Sequence, residues 1–245
     1  MVVLDHHRRL IINLSLYMTV PELIDLLKDF FFIPIYFVTL IVAMLNYKKF
    51  FDTPLRHFPL IIAYTFFNEL LGCFIRYSDS FAFSAQWTQS NQIIYNVYIL
   101  IFFLYFYSVY RKVIRDDTIK KYIKMGSALV IAAYVINGIF QDPFKIDLIY
   151  ANAIGSWLLV TYCIIYFKKL NPPFNWSWDK NNLMFWTTIG LVIFYFFFPI
   201  LFLIGYLHFE TWVMYEFKLI LKILITLMYA LFCVGFIISH KKAFR

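Results

Sequence analysis

Charge is scarce in this chain. Only 15% of its 245 residues are Asp, Glu, Lys or Arg, where a soluble domain carries about 25%. Residues to fill a water-facing surface are correspondingly few, because 62% of positions are apolar. A soluble protein of this length could bury a sizeable core, but not this much apolar surface, so the excess is expected to face lipid. Cysteine is nearly absent: Cys73, Cys163 and Cys233 each fall inside an apolar run. No CxxC or Cys/His spacing exists, which excludes the usual zinc frameworks and makes a disulfide an unlooked-for feature. HExxH, GxSxG, GxGxxG and the P-loop are all missing. Of 14 acidic residues only Glu69 sits deep in an apolar run, so no carboxylate pair is available for acid–base work. The expectation is a protein without catalytic residues, metal or cofactor, and not an enzyme.

What the chain has in quantity is long apolar stretches. They cover about Phe30–Tyr47, Phe58–Tyr77, Asn91–Tyr110, Met125–Phe140, Ile146–Phe167, Leu183–Tyr206 and Trp212–Ser239. Most approach the ~20 residues that cross ~30 Å of hydrocarbon at 1.5 Å per residue. The fourth is the shortest and carries Asn137 and Gln141. Porin-type strands alternate apolar and polar residues; these runs are apolar all round, so helices are predicted. The fold class is therefore all-α: a polytopic membrane helix bundle of about seven transmembrane helices.

The net charge of +8 would suggest nucleic acid in a soluble protein. Here its distribution follows the positive-inside rule, and no nucleic-acid partner is expected. Fifteen Lys and Arg residues fall on one side of the seven spans, in the first, third and fifth loops and the C-terminal tail, against five on the other. This bias puts the C-terminus in the cytoplasm and the N-terminus outside. Without the fourth span, the fifth loop would change sides and the bias would collapse. Residues 1–29 read as an outer segment in which Thr19-Val20-Pro21-Glu22 starts an amphipathic helix. Residues 30–240 form the seven-helix domain and 241–245 a cytoplasmic tail.

A few polar residues interrupt the spans. Asn68 and Glu69 interrupt the second run, and Glu69 stands eleven residues from Phe58, about 16 Å deep at helical rise. Lys218 and Lys222 are four apart in the seventh and share a helix face. A charge at membrane depth costs ~3 kcal/mol or more if it faces lipid, so these groups are expected to turn inward. The sharp expectation is a polar cavity built by Glu69, Asn68, Asn96, Asn137, Asn152, Lys218 and Lys222, with Glu69 and Lys222 paired. The plain alternative has Lys218 reaching outward and Glu69 hydrogen-bonded to Asn or Tyr as packing glue. Pro199 is expected to kink the sixth helix and serve as a hinge. The run Arg111, Lys112, Arg115, Lys120, Lys121, Lys124 reads as a cytoplasmic basic loop facing anionic lipid or a protein partner.

Seven spans and a lysine in the last suggest a microbial rhodopsin. The residues do not carry that likeness: Met214 stands four before Lys218, and the third run has no carboxylate. The chain more closely resembles a set of bacterial seven-helix membrane proteins similar to the membrane sensor halves of histidine kinases. The residues concerned are Asn91 with Tyr95-Asn96-Val97-Tyr98, Phe185-Trp186 with Gly190-Leu191, and Leu219-Ile220-Leu221-Lys222-Ile223-Leu224. It departs from them where Phe102-Phe103 replaces an acidic residue. The resemblance implies a multi-pass protein of the bacterial inner membrane with no established activity. Two functions follow. One is a non-enzymatic sensor or membrane-partner module, with the lipid bilayer around it and a cytoplasmic protein or a second copy of the chain as partner. The other is a small transporter or channel using Glu69 and Lys222. An outer pocket closed at Glu69 would favour the first, a continuous water path past the midplane the second.

Overall fold

The computed structural model describes residues 31–77, 92–170 and 181–240. The expected outer segment 1–29 and tail 241–245 lie outside the described residues. Among those described, every regular element is helical. Helix α1 is Phe32–Leu45 and is followed by one 3-10 turn, Tyr47–Lys49. Then come α2 (Phe58–Tyr77), α3 (Gln92–Val113), α4 (Asp117–Phe140), α5 (Ile149–Leu170), α6 (Leu183–Leu207), the short α7 (Phe209–Met214) and α8 (Phe217–Ile238). Six of them, α2 to α6 and α8, are long and apolar enough to cross a membrane. Helix α1 is as apolar but has 14 described residues, about 21 Å of helix.

Two segments differ from the sequence reading. The apolar run of α4 begins at Met125, yet the helix begins at Asp117. Asp116 caps it by accepting from the backbone N–H groups of Thr118 (3.0 Å) and Ile119 (3.2 Å), and Asp117 adds an acid to the first turn. The helix therefore has 24 residues, and the run with the fewest apolar residues becomes one of the longest elements. It follows that Arg111 to Lys124 is not a loop. Arg111 and Lys112 close α3, Arg115 lies in the link, and Lys120, Lys121 and Lys124 ride the first two turns of α4. The second difference is in the last run, expected as one helix over Trp212–Ser239. It breaks after α7 at Tyr215-Glu216, where Glu216 adopts a left-handed conformation (φ 48°, ψ 40°) and restarts the chain as α8. That conformation is uncommon for a residue with a Cβ.

The helices form a ring. Helix α6 packs between α5 and α8; α8 meets α1, α1 meets α2, and α3 closes the circuit by packing on α2, α4 and α5. Close approach of α6 to α8 needs Gly190, where a Cβ would lie 3.2 Å from the Met228 carbonyl oxygen. Gly155 of α5 likewise gives room to the Phe103 ring, which a Cβ would meet at 2.4 Å. At the end carrying Lys49, Phe50, Phe58, Phe106, Phe232 and Phe236 are all fully buried. Phe58 lies 5.0 to 5.4 Å, centroid to centroid, from Phe106, Phe232 and Phe236. These tilted and edge-on rings fill the bundle axis there. Lys49 reaches across to the last turn of α8 and donates to the Ile237 carbonyl at 2.7 Å, a cation satisfying a helix C-terminus.

Candidate functional site

The walls of the candidate site come from the opposite half of the bundle. A cavity of about 300 Å³ lies between α1, α2, α3, α6 and α8, at the lower edge of the ~300–1,000 Å³ typical of ligand sites. Each wall follows from helical spacing. Helix α3 contributes Gln92, Tyr95, Tyr98, Ile99 and Phe102, α6 contributes Phe194, Tyr195, Phe198 and Phe202, and α8 contributes Leu221, Ile225, Met228 and Tyr229. Steps of three, four and seven keep those residues on one face. Helices α1 and α2 add Phe32, Tyr36, Thr65 and Glu69, and Asp147 stands at the mouth, from the link before α5. Phe102 is ten residues into α3, so the cavity floor lies about 15 Å below that mouth.

The polar groups of the wall form two small networks and leave others over. Glu69 accepts a hydrogen bond from the Tyr95 hydroxyl at 2.8 Å, and among the described residues nothing else bonds to it. Thr65 gives its proton to the Ile61 carbonyl at 2.9 Å. Its oxygen is therefore the acceptor for Tyr98 at 2.6 Å and Tyr229 at 3.4 Å. Asp147 accepts from the Gln92 side-chain amide, and burial pushes its carboxyl up to about 6. The Tyr36 and Tyr195 hydroxyls make no hydrogen bond among the described residues, although the two side chains are only 4% and 6% exposed. Tyr36 packs on Tyr229 at 4.6 Å and Tyr195 on Phe102 at 5.4 Å, between ring centroids. Among the described residues, no Lys, Arg or His lines the cavity.

Of the seven residues expected to share a cavity, the structure brings only Glu69 to it. Lys222 follows Leu221, a wall residue, and the 100° step of a helix turns it to the next face. With Lys218, Trp212 and Glu216 it lines a separate shallow depression, and its ammonium lies 5.0 Å from the Phe31 ring centroid, a cation–π distance. Lys222 is not the partner of Glu69, which takes the plainer expectation, a hydrogen bond from a tyrosine. The same step separates Asn96 from Tyr95. Asn96 faces the link between α4 and α5, donating to the carbonyls of Pro143 (2.8 Å) and Ile146 (3.0 Å) and accepting from the Leu148 N–H (3.1 Å). Asn137 accepts from the Ala151 N–H at 3.0 Å and donates to Gln141 at 2.7 Å. Asn152 accepts from the Tyr134 hydroxyl. Helices α4 and α5 are not part of the cavity wall, so these two asparagines cannot reach it. Asn68 is buried beside Glu69 on α2 with neither amide atom hydrogen-bonded, for which the structure offers no physical account.

Pro199 lies buried within α6, and the helix runs unbroken from Leu183 to Leu207. The residue four before it, whose carbonyl loses its usual partner, is Tyr195 of the cavity wall. At the other end of the bundle Asp116 ties the α3–α4 link to α5 through Lys169 at 3.0 Å, and that ammonium holds its carboxyl below the ordinary range.

Asp147 and the tyrosines escaped the sequence reading. Asp147 sits at the edge of an apolar run and looks like a boundary residue. The tyrosines are diluted by 19 in the chain. The usable signal was the stripe of Gln92, Tyr95, Ile99 and Phe102, spaced three, four and three. Among the described residues, no three His, Cys, Asp or Glu side chains gather as a metal site would require. Comparison with protein-family models, curated proteins and solved structures finds no match to this chain.

Proposed function

We propose that this protein is a seven-span, non-enzymatic sensor of a bacterial inner membrane, with its N-terminus outside, that takes a small molecule from the outer side into the cavity between α1, α2, α3, α6 and α8. The orientation rests on the fifteen-to-five distribution of Lys and Arg. It counts α1 as the seventh span, and it puts Asp147 and the cavity mouth outside. The cytoplasmic ends of α3 and α4, with Arg111, Lys112, Arg115, Lys120, Lys121 and Lys124, are then the surface for a protein partner or a second copy of the chain.

One observation carries this reading over a transporter or channel. Below the cavity the bundle axis is filled by Phe58, Phe106, Phe232 and Phe236, each fully buried. A cavity backed by packed rings on its inner side suits a receptor better than a conduit. The transporter reading also relied on a Glu69–Lys222 couple, and Glu69 bonds to Tyr95 instead. Pro199, four residues beyond the wall residue Tyr195, supplies a yielding point through which an occupied cavity can shift α6.

The test is side-specific thiol labelling with an impermeant maleimide, in a chain whose three native cysteines are replaced by alanine. Tyr95→Cys should label in spheroplasts and not in inside-out vesicles, and Phe232→Cys in neither. Labelling of Tyr95→Cys from the cytoplasmic side would replace the sensor with a conduit.

A further inference from the structure

Within that reading, the composition of the cavity wall restricts what can fill it. Two carboxylates, Glu69 and Asp147, face a space otherwise walled largely by ring and aliphatic carbon, and among the described residues no Lys, Arg or His balances them there. An ionised carboxylate withdrawn from water is costly unless paired. The protein gives Glu69 one neutral hydroxyl donor, Tyr95, while Lys218 and Lys222 of α8 line another depression. An anion would add like charge to this wall. A neutral apolar guest would leave its carboxylates uncompensated. A bare metal ion wants six or more oxygens, and the described residues gather no such set.

The rings point the same way. The rings of Tyr36, Tyr98, Tyr195, Tyr229 and Phe102 line the space, and aromatic rings attract ammonium groups over their faces, most strongly where water is excluded. Tyr36 and Tyr195 are more than nine-tenths buried, yet their hydroxyls have no partner among the described residues. Neither hydroxyl is among the fully enclosed unpartnered atoms, so each meets the cavity space and can accept from a guest bearing N–H groups.

We infer that the cavity binds a small organic cation, an ammonium or quaternary ammonium group on a compact apolar body, with Glu69 as counter-ion and the tyrosine rings as its cage. Asp147, held at the mouth by Gln92, adds negative potential along the entry route. The apolar body lies toward Phe102, Tyr195 and Phe198. This inference rests on the cavity being a binding site, and the experiment separates failure of the ligand class from failure of that reading.

The full chain, purified in an uncharged maltoside detergent, is titrated calorimetrically with four probes of similar size: phenethylamine, phenyltrimethylammonium, phenethyl alcohol and phenylacetate. Both cations should bind and raise the unfolding temperature. The alcohol should bind at least tenfold more weakly than the amine, and phenylacetate should not bind. Glu69→Gln should weaken the amine tenfold or more and leave the alcohol unchanged. An alcohol binding as tightly as the amine, or an amine indifferent to Glu69→Gln, overturns the cation assignment and leaves the binding cavity standing. Binding of none of the four overturns both. The amine–alcohol comparison uses the unaltered chain, so it decides the question even where Glu69→Gln does not fold.

Discussion

Two polar regions lie side by side in this bundle and treat their side chains in opposite ways. Between α3, α4 and α5, the polar groups of Asn96, Asn137 and Asn152 are mostly consumed by backbone and by the side chains of Gln141 and Tyr134, with the Asn152 amide nitrogen alone left over. Asn96 alone makes three hydrogen bonds to the α4–α5 link. Around the cavity, Glu69 has one neutral partner, and the hydroxyls of Tyr36 and Tyr195, which meet the cavity space, have none among the described residues. Buried polar groups normally find partners because leaving one unmade costs more than making one gains. A satisfied seam is the solution for a structural joint. An unsatisfied wall is tolerated where something else is to complete it. The two regions share α3: Gln92 and Asn96 are four apart, and Asn96 fixes the link that presents Asp147 to Gln92.

That contrast is broken most severely at Asn96. Asn96→Ala removes three hydrogen bonds at ~1 kcal/mol each and strands a buried backbone N–H, so a loss of about 3 kcal/mol is expected. The readout is reversible SDS unfolding in mixed micelles. Because the link carries Asp147, the same variant should also weaken cation binding. Glu69→Gln should show the reverse pattern, with little loss of stability and a large loss of binding. If Asn96→Ala is silent in unfolding, the seam is not a structural joint.

The two regions were unequally legible in the sequence. The membrane bundle could be read, because ~20-residue apolar runs have few other uses. The start of α4 could not, because a cap at Asp116 outweighed the polarity of Lys120, Lys121 and Lys124. The seven residues expected in a cavity were chosen for polarity and depth. Depth says nothing about direction, and a single 100° step separates Leu221 from Lys222 and Tyr95 from Asn96. Glu69 could be found because it was the one carboxylate at depth. The cavity tyrosines could not, since Tyr107 and Tyr110, with the same spacing on the same helix, are core residues.

A second comparison concerns Asp147, the half-buried carboxylate at the border of the two regions. Burial raises its pKa from 3.8 to about 6, so the folded state holds the proton more tightly than the unfolded chain. The stability this lends is fully present below about pH 4 and is lost as pH rises through about 6, where a charge must be held in a poorly solvated place. Asp147→Asn abolishes that dependence. The variant should match the parent near pH 4 and exceed it near pH 7 by on the order of 2 kcal/mol, read as unfolding temperature in detergent. Cation binding should move oppositely, weaker in Asp147→Asn and weaker in the parent as pH falls through about 6. A parent whose stability rises across that range would show that the Asp147 charge is stabilised in the fold, and that the mouth is not a place where a carboxylate lacks a counter-ion.

The smallest expected effect sharpens the contrast most finely, because it compares one atom in two settings. Tyr107 and Tyr195 are both buried, and Tyr→Phe deletes only the hydroxyl. The Tyr107 hydroxyl donates to the Gly155 carbonyl at 2.7 Å inside the close α3–α5 contact. Removing it leaves that carbonyl short of a partner, so Tyr107→Phe should cost ~1 kcal/mol and leave cation affinity alone. The Tyr195 hydroxyl has no partner among the described residues. Tyr195→Phe should therefore change stability by less than ~0.5 kcal/mol, or raise it slightly by removing an unsatisfied group. The ring face stays, so cation–π attraction stays, and an N–H-bearing amine should lose a few-fold in affinity while phenyltrimethylammonium, with no N–H to donate, loses nothing. A Tyr195→Phe variant as destabilised as Tyr107→Phe would mean that its hydroxyl is already satisfied without a guest. Equal losses for the two cations would mean that the hydroxyl acts through the position of the ring rather than by accepting from the ligand.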